Sequence, residues 1–159
     1  IDVLRRAYKA MQSKLGSAWA MRENTLPVKT PYELLILASI VEKETGLAAD
    51  RPQVAAVFVN RLLRKMPMQS DPTVIYGLGE RFDGNLRKID LLTDTSWNTY
   101  TRPGLPPTPI SMPGQAALQA AAKPPPSNML YFVARGDGSS EFSTSLDEHN
   151  SAVAKYQKR

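Results

Sequence analysis

Eight consecutive residues, Leu34-Leu35-Ile36-Leu37-Ala38-Ser39-Ile40-Val41, are apolar but for one serine, and helix signals stand at both ends of the run. Thr30 is placed as an N-cap, and Pro31 suits the first turn, where its missing N–H would have no helical partner anyway. Glu33 completes a Thr-x-x-Glu capping box, and Gly46 is a natural stop. The run falls well short of the roughly 18 to 20 apolar residues that a membrane span needs. A second helix is expected to open at Asp50, with Gln53 as its box partner and Val54, Val57, Phe58 and Leu62 on one face. Only a few residues separate the two helices, so they pair closely.

Around that pair the signals are weaker. Leu4 to Trp19 reads as an amphipathic helix with Leu4, Tyr8, Met11 and Leu15 at helical spacing, followed by a loop over 20–29. From Met66 to Thr101 the chain is loop-rich, with polar and aromatic residues interleaved. Eight of the 13 prolines lie between Pro103 and Pro126, bracketing a short helix from Gln115 to Ala122. Fixed φ angles at that density stiffen the segment, either as the wall of a cleft or as a rigid connection. Met129 to Ala134 is a strand candidate, Gly136-Asp137-Gly138 a turn, and Glu141 to Thr144 the return strand. Ser145 and Glu148 box a last helix to about Lys158. The expected class is α+β, helix-rich with a small antiparallel β element.

The 159 residues suffice for one compact core. With 42% hydrophobic residues, disorder is not expected. There is no cysteine, which excludes disulfides, thiol catalysis and Cys-type zinc sites but does not choose a compartment. Net charge is +5, from basic residues scattered along the chain with no nucleic-acid motif beside them. That pattern reads as a solvated basic surface, with a weakly anionic polymer as the sharper alternative. The start, Ile1-Asp2-Val3, does not read as a signal peptide and looks like the edge of a longer chain.

Chemistry is concentrated at the end of the apolar helix. Glu42 and Glu44 lie about 200° apart around it. Leu37, Ile40 and Val41 precede Glu44 at helical offsets, whereas Leu35, Ala38 and Ser39 precede Glu42. Glu44 therefore continues the apolar stripe and is the carboxyl to expect partly desolvated. Desolvation disfavours the charged form and raises a carboxyl pKa, as a general acid at neutral pH requires. The alternative is a buried glutamate satisfied by Arg61. A Ser-His-Asp triad has little support, since His149 is the lone histidine and no nucleophile elbow is present. No carboxylate cluster has metal-binding spacing, and there is no phosphate loop.

The segments Ala38-Ser39-Ile40-Val41-Glu42-Lys43-Glu44-Thr45 and Val57-Phe58-Val59-Asn60-Arg61-Leu62 resemble core motifs of the YceG-like endolytic murein transglycosylases. So do Gln69-Ser70-Asp71-Pro72-Thr73-Val74-Ile75-Tyr76-Gly77, Asn98-Thr99-Tyr100, Gly104-Leu105-Pro106-Pro107, Pro113-Gly114, Leu130-Tyr131-Phe132-Val133 and His149-Asn150. Ser70 stands where threonine is common, which keeps the hydroxyl. The resemblance covers roughly 30 to 156. It implies a lysozyme-like cleft in a catalytic domain over 30–159, with 1–29 a helical connector from an upstream LysM-like region. It also implies cleavage of the β-1,4 bond between N-acetylmuramic acid and N-acetylglucosamine, leaving 1,6-anhydro ends, without metal or cofactor. By motif the catalytic glutamate falls on Glu44. Asn60, Gln69, Ser70, Asp71, Thr73, Tyr76, Asn98 and Tyr100 are then expected to hold the sugar. Glycan strands would be the substrate and peptidoglycan synthases the neighbours, with no nucleic acid. The intact protein would sit in the inner membrane by an anchor outside this chain, its catalytic domain in the periplasm. Two other readings are a hydrolase using the same glutamate and a non-catalytic wall-binding module.

Overall fold

The computed structural model describes residues 1–157. Seven α-helices and one hairpin follow in the order α1 (Asp2–Ala20), α2 (Pro31–Glu44), α3 (Arg51–Leu63), α4 (Asp71–Leu78), α5 (Lys88–Leu92), α6 (Gln115–Ala122), β1 (Tyr131–Ala134), β2 (Ser140–Ser143) and α7 (Leu146–Tyr156). Short 3₁₀ turns at Ala48–Asp50 and Gly79–Arg81 precede α3 and follow α4. The α+β expectation holds, with the strands antiparallel and Tyr131 opposite Ser143, Phe132 opposite Phe142.

Helix α2 is the hub. It packs against α1, α3, α4 and α6, and every residue from Ile36 to Val41 is buried. A helix apolar all round can only be stable when enclosed, and here the neighbours supply Ala18, Val54, Ala55, Phe58, Ala117, Leu118 and Ala121. The small side chains of α6 let its backbone approach α2 closely. Ser39, the one polar residue in the run, is fully satisfied: its hydroxyl donates to the Ile36 carbonyl and accepts the Ile110 amide, while its carbonyl accepts from Ser111. It stitches α2 to the proline-rich segment.

Local expectations fared unevenly. Thr30 caps α2 by accepting the Glu33 amide, but the Glu33 carboxylate reaches back to the amide of Lys29 rather than to Thr30. Helix α2 stops at Glu44, with Thr45 extended, so Gly46 is not a left-handed cap. Its smallness serves a close approach: a Cβ there would stand 3.0 Å from the Gly138 carbonyl oxygen. The Asp50–Gln53 box does not form. Asp50 accepts the Ser140 amide of β2 instead, a tertiary bond outcompeting the local one, and Gln53 Oε1 is left buried without a partner. Along α1 only Met11, Leu15, Ala18 and Trp19 of the apolar face meet the core; Leu4 and Tyr8 are exposed. The segment 66–101 holds two helices, α4 and α5, that its interrupted apolar pattern concealed. Both strands are shorter than expected or shifted by one residue. The Ser145–Glu148 box is complete, and α7 ends at Tyr156; Lys158 lies outside the described residues.

Candidate active site

Where α2 ends, a groove of about 520 Å³ opens between the helix terminus, the 66–71 segment, β1 and α7. Glu44, Arg61, Gln69, Asp71, Tyr100, Tyr131 and His149 are among its lining residues. The side chain of Glu44 is half-buried. Burial pushes its carboxyl up from the ordinary 4.5 to about 7; the hydrogen bond from Ser70 pulls it partly back, and the charge of Asp71 adds to the rise.

Among the described residues, no cation pairs with Glu44. Arg61 is buried, yet among the described residues it is in no ion pair. Its Nε donates to the Leu130 carbonyl at 2.7 Å, and one terminal nitrogen donates to the Pro67 carbonyl at 2.8 Å and to Gln69 Oε1 at 3.2 Å. The guanidinium carbon lies 4.9 Å from the Tyr131 ring centre. Arg61 thus ties β1 to the 66–69 segment through neutral acceptors, and the reading in which it neutralises Glu44 is corrected. The reason is geometric: a planar fork of donors can be filled by carbonyls as well as by a carboxylate.

The two glutamates differ by tertiary contact. Glu42 accepts the Gly114 amide at 3.0 Å, at the N-terminus of α6. The helix dipole favours a carboxylate there, so Glu42 is engaged as a structural cap. The stripe argument does not separate the two residues, because α2 is enclosed on all sides ahead of them.

The residues expected to hold sugar divide. Gln69, Asp71 and Tyr100 line the groove, and the Tyr100 hydroxyl donates to Asp71 Oδ1 at 2.6 Å. Burial, then that bond to Asp71, keeps the phenol protonated far above neutrality. Ser70 is completely buried and donates to Glu44 Oε1 at 2.7 Å. The others point elsewhere. Asn60 donates to the Ser127 and Met129 carbonyls, fastening α3 to the chain ahead of β1. Thr73 is buried against Ser70 and Thr99. Asn98 donates to the Leu91 and Thr93 carbonyls and accepts the amide of Tyr100, so it organises the loop that presents Tyr100. Tyr76 is exposed and packs at 5.7 Å on Trp97, beside a separate groove with Pro109 and Pro113. The proline-rich segment therefore does not line the Glu44 groove.

Gln69 has a positive φ of 53°, a left-handed conformation that costs a non-glycine residue on the order of 1 kcal/mol. Its amide bonded to the Thr99 carbonyl and its side chain held by Arg61 offset that cost. Sequence reasoning missed Tyr131 and His149 as groove residues. Their rings stack at 5.1 Å, and the imidazole pKa is lowered by burial first and by Arg61 second. No local spacing links residues 131 and 149 to residue 44.

The chain matches the YceG-like family model over residues 1–155. It is 43% identical over 136 residues to an endolytic murein transglycosylase of Bacillus subtilis (strain 168), covering 86% of this chain and 37% of the relative. A protein of the same name from Streptococcus pneumoniae is 35% identical over 133 residues, covering 80% and 24%. The matched part of this chain thus spans well under half the length of these relatives. The crystal structure of a YceG-like protein of Listeria monocytogenes superposes with a TM-score of 0.70 at 43% identity, covering 76% of this chain and 38% of that one. The matched span takes in every element from α1 to β2 and nearly all of α7, and the chain belongs to the YceG-like family.

Proposed function

We propose that this chain carries the catalytic site of a peptidoglycan lytic transglycosylase, with Glu44 as general acid and then general base. The observation that carries the reading is a glutamate raised to about 7, at the wall of a groove, with no cation paired to it among the described residues. A group with that pKa is populated in both protonation states at neutral pH, which one residue serving two proton transfers requires.

In the proposed reaction a strand lies along the groove with the N-acetylmuramic acid–β-1,4–N-acetylglucosamine linkage at Glu44. The protonated carboxyl donates to the glycosidic oxygen as the C1–O bond breaks, its electron pair leaving with that oxygen. Asp71, held by the Tyr100 hydroxyl, faces the positive charge that develops at C1. The Glu44 carboxylate then accepts the proton of the sugar's C6 hydroxyl while that oxygen bonds to C1, closing a 1,6-anhydro ring. Atoms and protons balance without water, and the second carboxylate of ordinary glycosidases is not required as a nucleophile. Gln69 and Tyr100 offer polar groups to the sugar from the groove wall.

The relatives' names support peptidoglycan as the substrate class. We further propose that the intact protein acts outside the inner membrane beside peptidoglycan synthases; no described helix is itself long and apolar enough to cross a membrane. The test is digestion of purified glycan strands by the wild type and Glu44→Gln, with product ends identified by mass. The expected result is anhydro ends from the wild type and a loss on the order of 10² to 10⁴-fold in the variant. Reducing ends would point to a hydrolase with the same acid, and an unimpaired variant would overturn the assignment of Glu44.

A further inference from the structure

Ser70 stands at the N-cap of α4, where a serine hydroxyl ordinarily accepts an amide of the first turn, yet it makes no such bond. Its backbone is held instead by a closed circuit. The Ser70 amide donates to Thr99 Oγ1 at 3.0 Å, and Thr73 Oγ1 donates to the Ser70 carbonyl at 2.7 Å. Thr73 and Thr99 hydroxyls are 2.8 Å apart. A hydroxyl has one proton, and that of Thr73 is committed to Ser70. The bond between the two threonines therefore runs from Thr99 to Thr73, and every donor in the circuit is assigned. All three residues are buried, so no water competes.

What remains is the Ser70 hydroxyl, and its one acceptor among the described residues is Glu44 Oε1, at 2.7 Å. Among the described residues, Glu44 Oε2 has no hydrogen-bond partner. Nor is it one of their buried, unpaired polar atoms, which are Arg51 Nε, Gln53 Oε1, Thr95 Oγ1 and His149 Nδ1. Oε2 is thus the oxygen still open to the groove. We infer that Ser70 is a positioning residue: by donating to Oε1 it confines the proton of Glu44 to Oε2, so that one oxygen both delivers and recovers the proton. A carboxyl without this constraint would carry its proton on either oxygen, and the form protonated on Oε1 would face away from the groove.

This inference rests on Glu44 being the acid and replaces a sugar-holding role for Ser70. Two outcomes separate them. With Ser70→Ala, kcat on glycan strands is expected to fall about tenfold with KM little changed. The alkaline limb of the pH–rate profile should move up, since the lost hydrogen bond favours the charged carboxylate. Ser70→Thr, which keeps the hydroxyl, should restore both. A rise in KM with an unmoved pH profile would overturn the inference and return Ser70 to the sugar. A direct readout needs no substrate: carboxyl ¹³C NMR of glutamate-labelled protein should show Glu44 titrating near 7 in wild type and Ser70→Thr and higher in Ser70→Ala. Identical titration in all three overturns the inference even if Glu44→Gln is inactive. An active Glu44→Gln, by contrast, defeats the assignment of the acid itself. Should Ser70→Ala prove unfolded by thermal melting, Ser70→Cys, a much weaker donor of similar size, supplies the same comparison.

Discussion

Glu42 Oε2 accepts the Gly114 amide at 3.0 Å, two residues before a carboxyl that keeps one oxygen free in the groove. One glutamate is tied to the N-terminus of α6, and the other lines the groove. Glu42→Ala should therefore cost stability, about 0.5 to 2 kcal/mol by analogy with loss of a helix cap, while glycan cleavage per folded molecule persists. Urea unfolding and strand digestion of the same sample check this. Loss of cleavage in a folded Glu42→Ala with Glu44→Gln active would reverse the two roles.

The raised pKa of Glu44 has a sign for stability as well as for rate. Below about 4.5 the residue is protonated both folded and unfolded, and its contribution is fully present. Between 4.5 and about 7 only the folded state holds the proton, so stability falls as pH rises, and the loss is complete above 7. The total is on the order of 3 kcal/mol. Glu44→Gln should abolish that slope and be more stable than the wild type at pH 8, measured by denaturant midpoints across pH. An unchanged slope in the variant would place the titration on another group.

On the proposed role of Glu44, cleavage should decline on the alkaline side as that carboxyl loses its proton. The limb is expected near pH 7 in kcat/KM, which reports the free enzyme. A rate that stays level to pH 9 would mean that the acid is not a carboxyl with this pKa.

Arg61 serves four neutral acceptors from a buried position. Truncation to alanine leaves the Leu130 and Pro67 carbonyls without their donor and opens a void beside Tyr131, for roughly 3 kcal/mol or more. Lysine cannot reproduce the fork and should recover only part. Chemical denaturation of both variants measures it. A fully stable Arg61→Ala would show that these bonds contribute little.

Asn98→Ala removes the acceptor for the Tyr100 amide and the donor to the Asp90, Leu91 and Thr93 carbonyls, so both stability and the placement of Tyr100 should suffer. The expected cost is about 2 to 4 kcal/mol, with kcat reduced more than KM is raised. Melting and steady-state kinetics distinguish this from a sugar contact, which would raise KM in a fully stable protein.

Much of the scaffold was legible from local chemistry. The cap at Thr30, the enclosed run of α2, the Ser145–Glu148 box and the hairpin after Leu130 each depend on residues within a few positions of one another. Where a tertiary partner competed, local reading failed: Asp50 left its expected box for the Ser140 amide.

By itself, then, the sequence determined that α2 is buried and that two carboxyls stand at its end, because helical periodicity and hydrophobicity are properties of neighbours in the chain. Only the tertiary structure decided which carboxyl is capped by Gly114 and which opens to the groove. It alone showed that Arg61 is satisfied by carbonyls and that Asn60, Thr73 and Asn98 face inward. Desolvation and hydrogen-bond direction depend on atoms brought from 26 to 72 positions away, and no spacing along the chain encodes where those atoms come to rest.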